Sequence, residues 1–239
     1  MTAEPDLVAL IVDYGGVLTN GLAETMAAWC TSDGIDAGEF ERAMREWLGP
    51  GYGADAELNP VHALERGELA IPDFERQLAT RLTARGGRPV RADGLLTRMF
   101  AAFQLDPRML DVVRRCHRAG IRTALLSNSW GLDYPRDGWP ELFDVTVISG
   151  EVGMRKPEPD IYRLTADRLG VQTTQCVFVD DLAPNVRGAV TVGMVGIQHH
   201  DAAETSAELE ELFGIRFGPA PDAAADAERD TMGPIGDGG

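Results

Sequence analysis

The sequence predicts an α/β fold in which a doubly wound parallel sheet carries an inserted α-helical cap. Three observations predict it. A short apolar run near the amino terminus, residues 7–12, ends on the carboxylate of Asp13; residues 20 to about 105 have helical spacing with no convincing strand; and from residue 106 strands and helices alternate. Alternation of that kind gives parallel strands joined by right-handed crossovers, with helices on both faces.

Each element follows from local signals. Residues 7–12 are nearly continuously apolar and are closed by Gly15-Gly16, the pattern of a parallel strand buried on both faces and ended by a turn. Helices are expected at residues 22–30, 37–47, 72–82 and 94–103, separated by Gly-rich or Pro-rich breaks. Asp106-Pro107, an N-cap followed by proline at the first helical position, opens a helix that runs to Ala119-Gly120. Strands are expected at 122–127, 145–149, 176–180 and 195–198, with helices at 160–169 and 185–192 between the later ones. The implied division is a discontinuous core, 1–19 and 106–216, with a cap at 20–105 set over the carboxyl ends of the strands. From 217 to 239 the chain is mostly Ala, Asp, Gly and Pro, too poor in large apolar side chains to offset its ordering entropy, and reads as a disordered acidic tail.

Composition narrows the function classes. The chain has 239 residues, 44% hydrophobic and 25% charged, enough for one α/β core and one smaller module. With 22 Lys and Arg against 38 Asp and Glu, the formal charge is -16. That balance offers no cationic surface for a polynucleotide backbone, so no nucleic-acid partner is expected. A small phosphate ester remains compatible, because a metal ion and one lysine override the global sign locally. No apolar run reaches the roughly 18 residues of a membrane helix, and the amino terminus lacks a basic stretch leading into an apolar one; no membrane partner and a cytoplasmic location are expected. Cys30, Cys116 and Cys176 are odd in number and widely spaced, which fits reduced, buried thiols rather than a disulfide framework. Oligomeric state is not written in the sequence.

Four signals fall at or just after the carboxyl ends of expected strands: Asp13, Ser127-Asn128, Lys156, and Asp180-Asp181. In a doubly wound sheet those ends converge on one crevice, so residues far apart in sequence meet around one ligand. Singly, each has a plainer reading. Asp13 before two glycines is also a turn aspartate, Ser127-Asn128 a helix cap, and Lys156 before proline a solvated loop lysine. Adjacent carboxylates at the end of a buried strand are harder to explain without a compensating cation. All four in order make a phosphoryl-transfer site the better account.

This set of motifs, in Asp13-Tyr14-Gly15-Gly16, Ser127-Asn128, Gly153-Met154-Arg155-Lys156-Pro157-Glu158 and Phe178-Val179-Asp180-Asp181, resembles the haloacid dehalogenase-like superfamily from about residue 7 to residue 200. With Glu65-Arg66-Gly67-Glu68 in the helical segment, it is most similar to members with a small helical cap, among them bacterial phosphatases acting on glucose 1-phosphate. The resemblance implies a Rossmann-like core and a Mg²⁺-dependent phosphatase of a small phosphorylated metabolite, sugar 1-phosphates included, working through an aspartyl-phosphate. It assigns Asp13 as nucleophile. Asp13, the backbone carbonyl of Gly15, Asp180 and Asp181 would hold Mg²⁺, with Asp181 favoured for direct ligation. Ser127 and the amide of Asn128 would bind phosphate oxygens, and Lys156 would offset charge on the carboxylate and the transferring group. Asn185 would hold the acidic loop in place. Trp130, Tyr134, Arg136 and Trp139, in the connection after Ser127, either contact substrate or pack the loop, and Trp130 and Arg136 are taken as substrate-binding.

One departure matters. Most phosphatases of the superfamily carry a second aspartate where Gly15 stands, to protonate the leaving oxygen; such assistance is typically worth about 10²–10⁴-fold. Gly15 therefore predicts better turnover of sugar 1-phosphates, acyl phosphates or aryl phosphates than of simple alkyl esters. Two other readings stay open: a hydrolytic haloacid dehalogenase, in which the same aspartate attacks carbon, and a catalytically weak module that binds a phosphorylated metabolite. His199-His200, His62 and His117 read as surface residues, and Glu65 and Glu68 as a charged helix face or a cap–core contact.

Overall fold

The computed structural model describes residues 6–48, 59–131 and 133–217. Five strands form the expected parallel sheet: β1 (Ala9–Val12), β4 (Arg122–Ser127), β5 (Val145–Ile148), β6 (Cys176–Asp180) and β7 (Val195–Gln198), in the order β5-β4-β1-β6-β7. β1 is central, with Ile11 in register with Ala124 on one side and Phe178 on the other. The chain leaves β1 toward β4 and β5, then returns to β6 and continues outward to β7. The topological switch point therefore lies at β1 and β6, whose carboxyl ends carry Asp13 and Asp180.

The all-apolar strands exist because both faces are covered. Along β1, Leu10 and Val12 join one core with Met109, Val113 and Leu209, while Ala9 and Ile11 join the opposite core with Ile161, Tyr162 and Ala189. The alternation is the two-residue period of a strand. Helices α6 (Pro107–Arg118) and α10 (Ala202–Phe213) cover the first face; α8 (Pro159–Leu169) and α9 (Ala183–Thr191) cover the second. The Asp106 side chain caps α6 by accepting from Arg108 N at 2.8 Å, as the Asp-Pro pair predicts. Ser149, expected to close a strand, instead opens a four-residue helix, α7 (Ser149–Val152).

The segment between β1 and α6 has a third, separate apolar core of Trp29, Phe40, Phe74, Leu78, Leu95 and Met99 among others. It is built from α1 (Leu22–Asp33), α2 (Ala37–Leu48), α3 (Pro60–Glu65), α4 (Ile71–Ala79) and α5 (Leu95–Met99), followed by a 3₁₀ turn at Phe100–Ala102. Two features differ from expectation. A two-residue hairpin, β2 (Thr83–Ala84) with β3 (Arg88–Pro89), interrupts the helices. And α3, too short to show helical periodicity, forms because Asn59 accepts from the amides of Val61 and His62 and Pro60 stands at the first helical position. The two chain crossings run side by side: Thr19 bridges Leu105, and Asn20 N and Asp106 N donate to Gln104 O and Leu18 O.

Phe217, where the sequence places the start of the acidic tail, packs against the first core. The rest of that tail lies outside the described residues. Among the described residues no helix is long and apolar enough to cross a membrane, and all three cysteines are buried free thiols.

Candidate active site

The sheet brings Asp13, Ser127, Lys156 and Asp180 to one place because each stands at or beyond a strand end on the same edge. Lys156 is wholly buried, and its Nζ donates to Asp13 Oδ1 at 2.8 Å and to Asp180 Oδ2 at 2.6 Å. A buried ammonium survives only when paired in this way. Burial alone would push the Lys156 pKa down; Asp13 and Asp180 outweigh it and hold the ammonium above its ordinary range.

The carboxylates differ in what they have left to offer. Asp180 Oδ1 accepts from Leu182 N at 2.9 Å, and Asn185 Nδ2 donates to both Asp180 oxygens at 3.1 Å, so this side chain is tied on every side. Asn185 is itself fixed, its backbone carbonyl accepting from Tyr162 OH at 2.7 Å. Asp13 Oδ1 also accepts from Tyr14 N at 2.7 Å, leaving Oδ2 the less engaged oxygen. Asp181 is half-buried and turned into the cavity, against Gly16. Burial, then the charges of Asp180 and Asp181, raise the Asp13 pKa to about 8 despite Lys156; burial and Asp180 raise that of Asp181 to about 6.

Oxygens of Asp13, Asp180 and Asp181 all lie within 4.8 Å of one another. Three carboxylates against one lysine leave an unbalanced negative charge, which adds to burial in raising the Asp13 and Asp181 pKa values. Asn185 Oδ1, buried beside them, has no hydrogen-bond partner among the described residues. At Gly16, whose φ is +76°, a Cβ would stand 2.4 Å from Asp181 Oδ2. An oxygen-rich, acidic cradle with an orphan acceptor and no room for a side chain fits a hard divalent cation.

Ser127 Oγ lies 2.9 Å from Tyr134 OH, and both are buried. Asn128 ties the loop after β4 to the lysine loop: its Nδ2 donates to Lys156 O at 2.9 Å and its Oδ1 accepts from Lys156 N at 2.8 Å. Ser129 N donates to Ser149 Oγ at 2.8 Å. Ser127, Asn128 and Lys156, with Asp13 and Asp181, floor a cavity of about 280 Å³, lined also by Gly15, Trp130 and apolar residues of the cap.

Other candidates resolve differently. Arg136 is not brought to the cavity: its guanidinium pairs with exposed Glu151 and lies over the Trp139 ring, so a rim ion pair holds it away from the floor. Trp130 lines the cavity while its indole N–H donates to Glu65 at 3.0 Å. Glu65 is a cap–core contact, fully buried and paired with Arg155 Nε at 2.5 Å, while Glu68 is exposed. His62 and His199 are not surface residues. Both are buried with lowered pKa values, burial being the main cause, and His199 Nδ1 lies 2.8 Å from Thr205 Oγ1. His117 is half-buried against Thr123, and His200 is exposed. The sequence reading singled out neither the Ser127–Tyr134 contact nor the apolar cap wall; the i, i+4 pairs Leu22/Met26 and Phe40/Met44 were the available signal for the wall.

A family model described as haloacid dehalogenase-like hydrolase matches residues 7–193. The chain is 33% identical over 206 residues to bifunctional epoxide hydrolase 2 of Mus musculus, a match covering 77% of this chain but only 37% of that protein's length. It is 32% identical over 197 residues to phosphatase MT3486 of Mycobacterium tuberculosis, covering 78% of this chain and 84% of that one. Among solved structures, a HAD family enzyme of Bacteroides thetaiotaomicron in complex with magnesium and inorganic phosphate superposes with a TM-score of 0.60, at 18% identity, over 83% of this chain and 98% of the other.

Proposed function

Because the chain belongs to the haloacid dehalogenase-like hydrolase family, we propose that it is a Mg²⁺-dependent phosphatase acting on a small phosphorylated metabolite, with Asp13 as the nucleophile. The observation that carries the reading is Lys156 Nζ held between Asp13 and Asp180 at 2.8 and 2.6 Å, with Asp181 beside them on the floor of the cavity. The relative named a phosphatase, which aligns over most of both chains, supports it.

Asp13, Asp181 and the backbone carbonyl of Gly15 would hold Mg²⁺, with Asp180 contributing chiefly by fixing Lys156 and Asn185. The ion supplies positive charge that lets three carboxylates stay ionised and that offsets charge on the phosphoryl oxygens. Asp13 Oδ2 attacks phosphorus, the bond from phosphorus to the ester oxygen breaks, and the phosphoryl group passes to the carboxylate. Ser127 Oγ and the Asn128 backbone amide orient the phosphoryl oxygens, and Lys156 balances their charge from a fixed place, its ammonium held by Asp13 and Asp180 and its backbone by the Asn128 side chain. Water then attacks phosphorus, the bond to Asp13 breaks, and inorganic phosphate leaves.

Gly15 offers no proton to the departing oxygen, so the leaving group must take its proton from water. Acyl, aryl and anomeric phosphates tolerate that best. Of these the sugar 1-phosphates suit the cavity least, because the cap side presents hydrocarbon where hydroxyls would need partners. The test is p-nitrophenyl phosphate hydrolysis with Mg²⁺ and with EDTA, in wild type and in Asp13→Asn. Activity that needs both Mg²⁺ and Asp13 is expected. Equal rates in the two proteins would leave a phosphometabolite-binding module as the better reading, and chloride release from 2-chloropropionate persisting in EDTA would favour a dehalogenase.

A further inference from the structure

The cavity above Asp13 has one polar end and one apolar end. Its floor is Asp13, Ser127, Asn128, Lys156 and Asp181; its cap side is Leu22, Met26, Phe40, Met44, Phe100 and Phe103. The polar groups of the floor serve the phosphate end: the Asn128 side-chain amide is spent in both directions on the Lys156 backbone, Ser127 Oγ faces Tyr134 OH, and Asp13 Oδ2 and Asn185 Oδ1 are the less engaged oxygens. The Trp130 indole N–H donates to Glu65. No uncommitted polar side chain is left at the cap end among the described residues that line the cavity.

The apolar wall is the cavity-facing side of the cap core, to which Met26 and Phe40 belong and against which Met44 and Phe100 pack. Leu22 and Met26 lie one turn apart on α1, Phe40 and Met44 one turn apart on α2, so two helices aim the same stripe at one space. Leu22 is 38% exposed, and Met44, Phe100 and Phe103 are half-buried, although the cap has its own core in which Phe74, Leu95 and Met99 are fully covered. Leaving such side chains facing water in a concave site is unfavourable at about 25 cal/mol per Å², and a ligand that covers them recovers that energy.

Resting on the phosphatase reading, we propose that the substrate is a phosphomonoester with an apolar, weakly basic leaving group, an aryl alcohol whose body lies against the cap wall while its phosphate lies on Asp13, Ser127 and Lys156; alkyl phosphates, though slow, report on the same wall. Continuity of this wall with the reactive floor, in one cavity, names the occupant. The two methionines, unbranched and polarizable, let the wall follow differently shaped hydrocarbons.

The experiment measures kcat/KM of the Mg²⁺-loaded protein for n-alkyl phosphates from butyl to octyl, for the matched pair hexyl phosphate and 6-hydroxyhexyl phosphate, and for acetyl phosphate. The matched pair has the same leaving oxygen and differs only in a distal hydroxyl. Each added methylene should raise kcat/KM about threefold to fourfold until the cavity fills, and hexyl should exceed 6-hydroxyhexyl by roughly 5- to 150-fold. In Met44→Gln the octyl-to-butyl ratio should fall; because it is a ratio within one preparation, partial misfolding cancels. A flat or falling series, or equal rates for the matched pair, with acetyl phosphate still hydrolysed, overturns the apolar leaving group and leaves the phosphatase standing. Failure to hydrolyse acetyl phosphate as well as every alkyl ester overturns both.

Discussion

Gly15→Asp should convert an enzyme selective for good leaving groups into one tolerant of poor ones. Gly15 lines the cavity beside Asp13, its φ lies outside the left-handed region, and an added Cβ would meet only Phe103 Cζ, at 3.6 Å, an ordinary contact. The Cβ itself therefore carries no overpacking penalty of the usual ~1–3 kcal/mol. The new carboxyl would stand in a half-buried position facing Phe103, and partial burial favours its protonated form, the state a general acid needs. Such an acid is worth about 10²–10⁴-fold, or roughly 2.7–5.4 kcal/mol of barrier at about 1.36 kcal/mol per decade, to a basic leaving oxygen and little to a weakly basic one. Since nothing has been arranged to hold the new side chain, we expect the lower end, about a hundredfold in kcat/KM for hexyl phosphate. The rate for p-nitrophenyl phosphate should barely move. The assay is phosphate release from the two esters by wild type and variant at saturating Mg²⁺. An unchanged hexyl-to-nitrophenyl ratio in a variant that keeps its nitrophenyl activity and folded spectrum would refute the role given to Gly15.

Three further outcomes are expected. Gly16→Ala would set a methyl 2.4 Å from Asp181 Oδ2 at a φ of +76°, so displacement of Asp181 should raise the Mg²⁺ concentration for half-maximal activity about 10–100-fold; an unchanged titration would remove Asp181 from the metal site. Glu65→Ala breaks a buried pair with Arg155 and should cost about 3–5 kcal/mol in urea denaturation, whereas a loss under about 1 kcal/mol, the worth of an exposed pair, would mean the contact is dispensable. In the metal-free protein, Asp13 and Asp181 have folded pKa values above the unfolded value of 3.8, so the folded state binds more protons and their contribution to stability falls as pH rises through about 6 and then about 8. Mg²⁺ should therefore raise Tm more at the top of that window than near pH 5, with the opposing effect of His62 and His199 cancelling in the difference; an equal or larger shift at low pH would contradict this.

β1 and β6 were legible because a parallel strand buried on both faces is written as a nearly unbroken apolar run, and β4, β6 and β7 begin and end where the sequence puts them. Asp13, Ser127 and Asp180 were legible for the same reason, since each interrupts or terminates such a run. What the sequence concealed depends on partners distant along the chain. Asp180 and Asp181 look alike in sequence, and only contact with Lys156 and Asn185 distinguishes the tethered one from the one facing the cavity. Glu65 read equally as a charged helix face or a cap–core contact because its partner Arg155 is 90 residues away, and the contact decides for the second. His62 and His199 read as surface residues because a buried neutral imidazole leaves no pattern in its neighbours. Arg136 was an attractive anion ligand by type, yet Glu151 claims it.

Arg155 and Lys156 are adjacent, and they point to opposite tasks: the guanidinium grips Glu65 on α3, while the ammonium sits between Asp13 and Asp180. One peptide unit thus joins the posture of the helical roof to the placement of the reactive charge. The contact that seats α3 on the core and the contacts that hold the ammonium belong to neighbouring residues, so loosening the Glu65 grip is expected to be felt at Lys156 as well as in the roof.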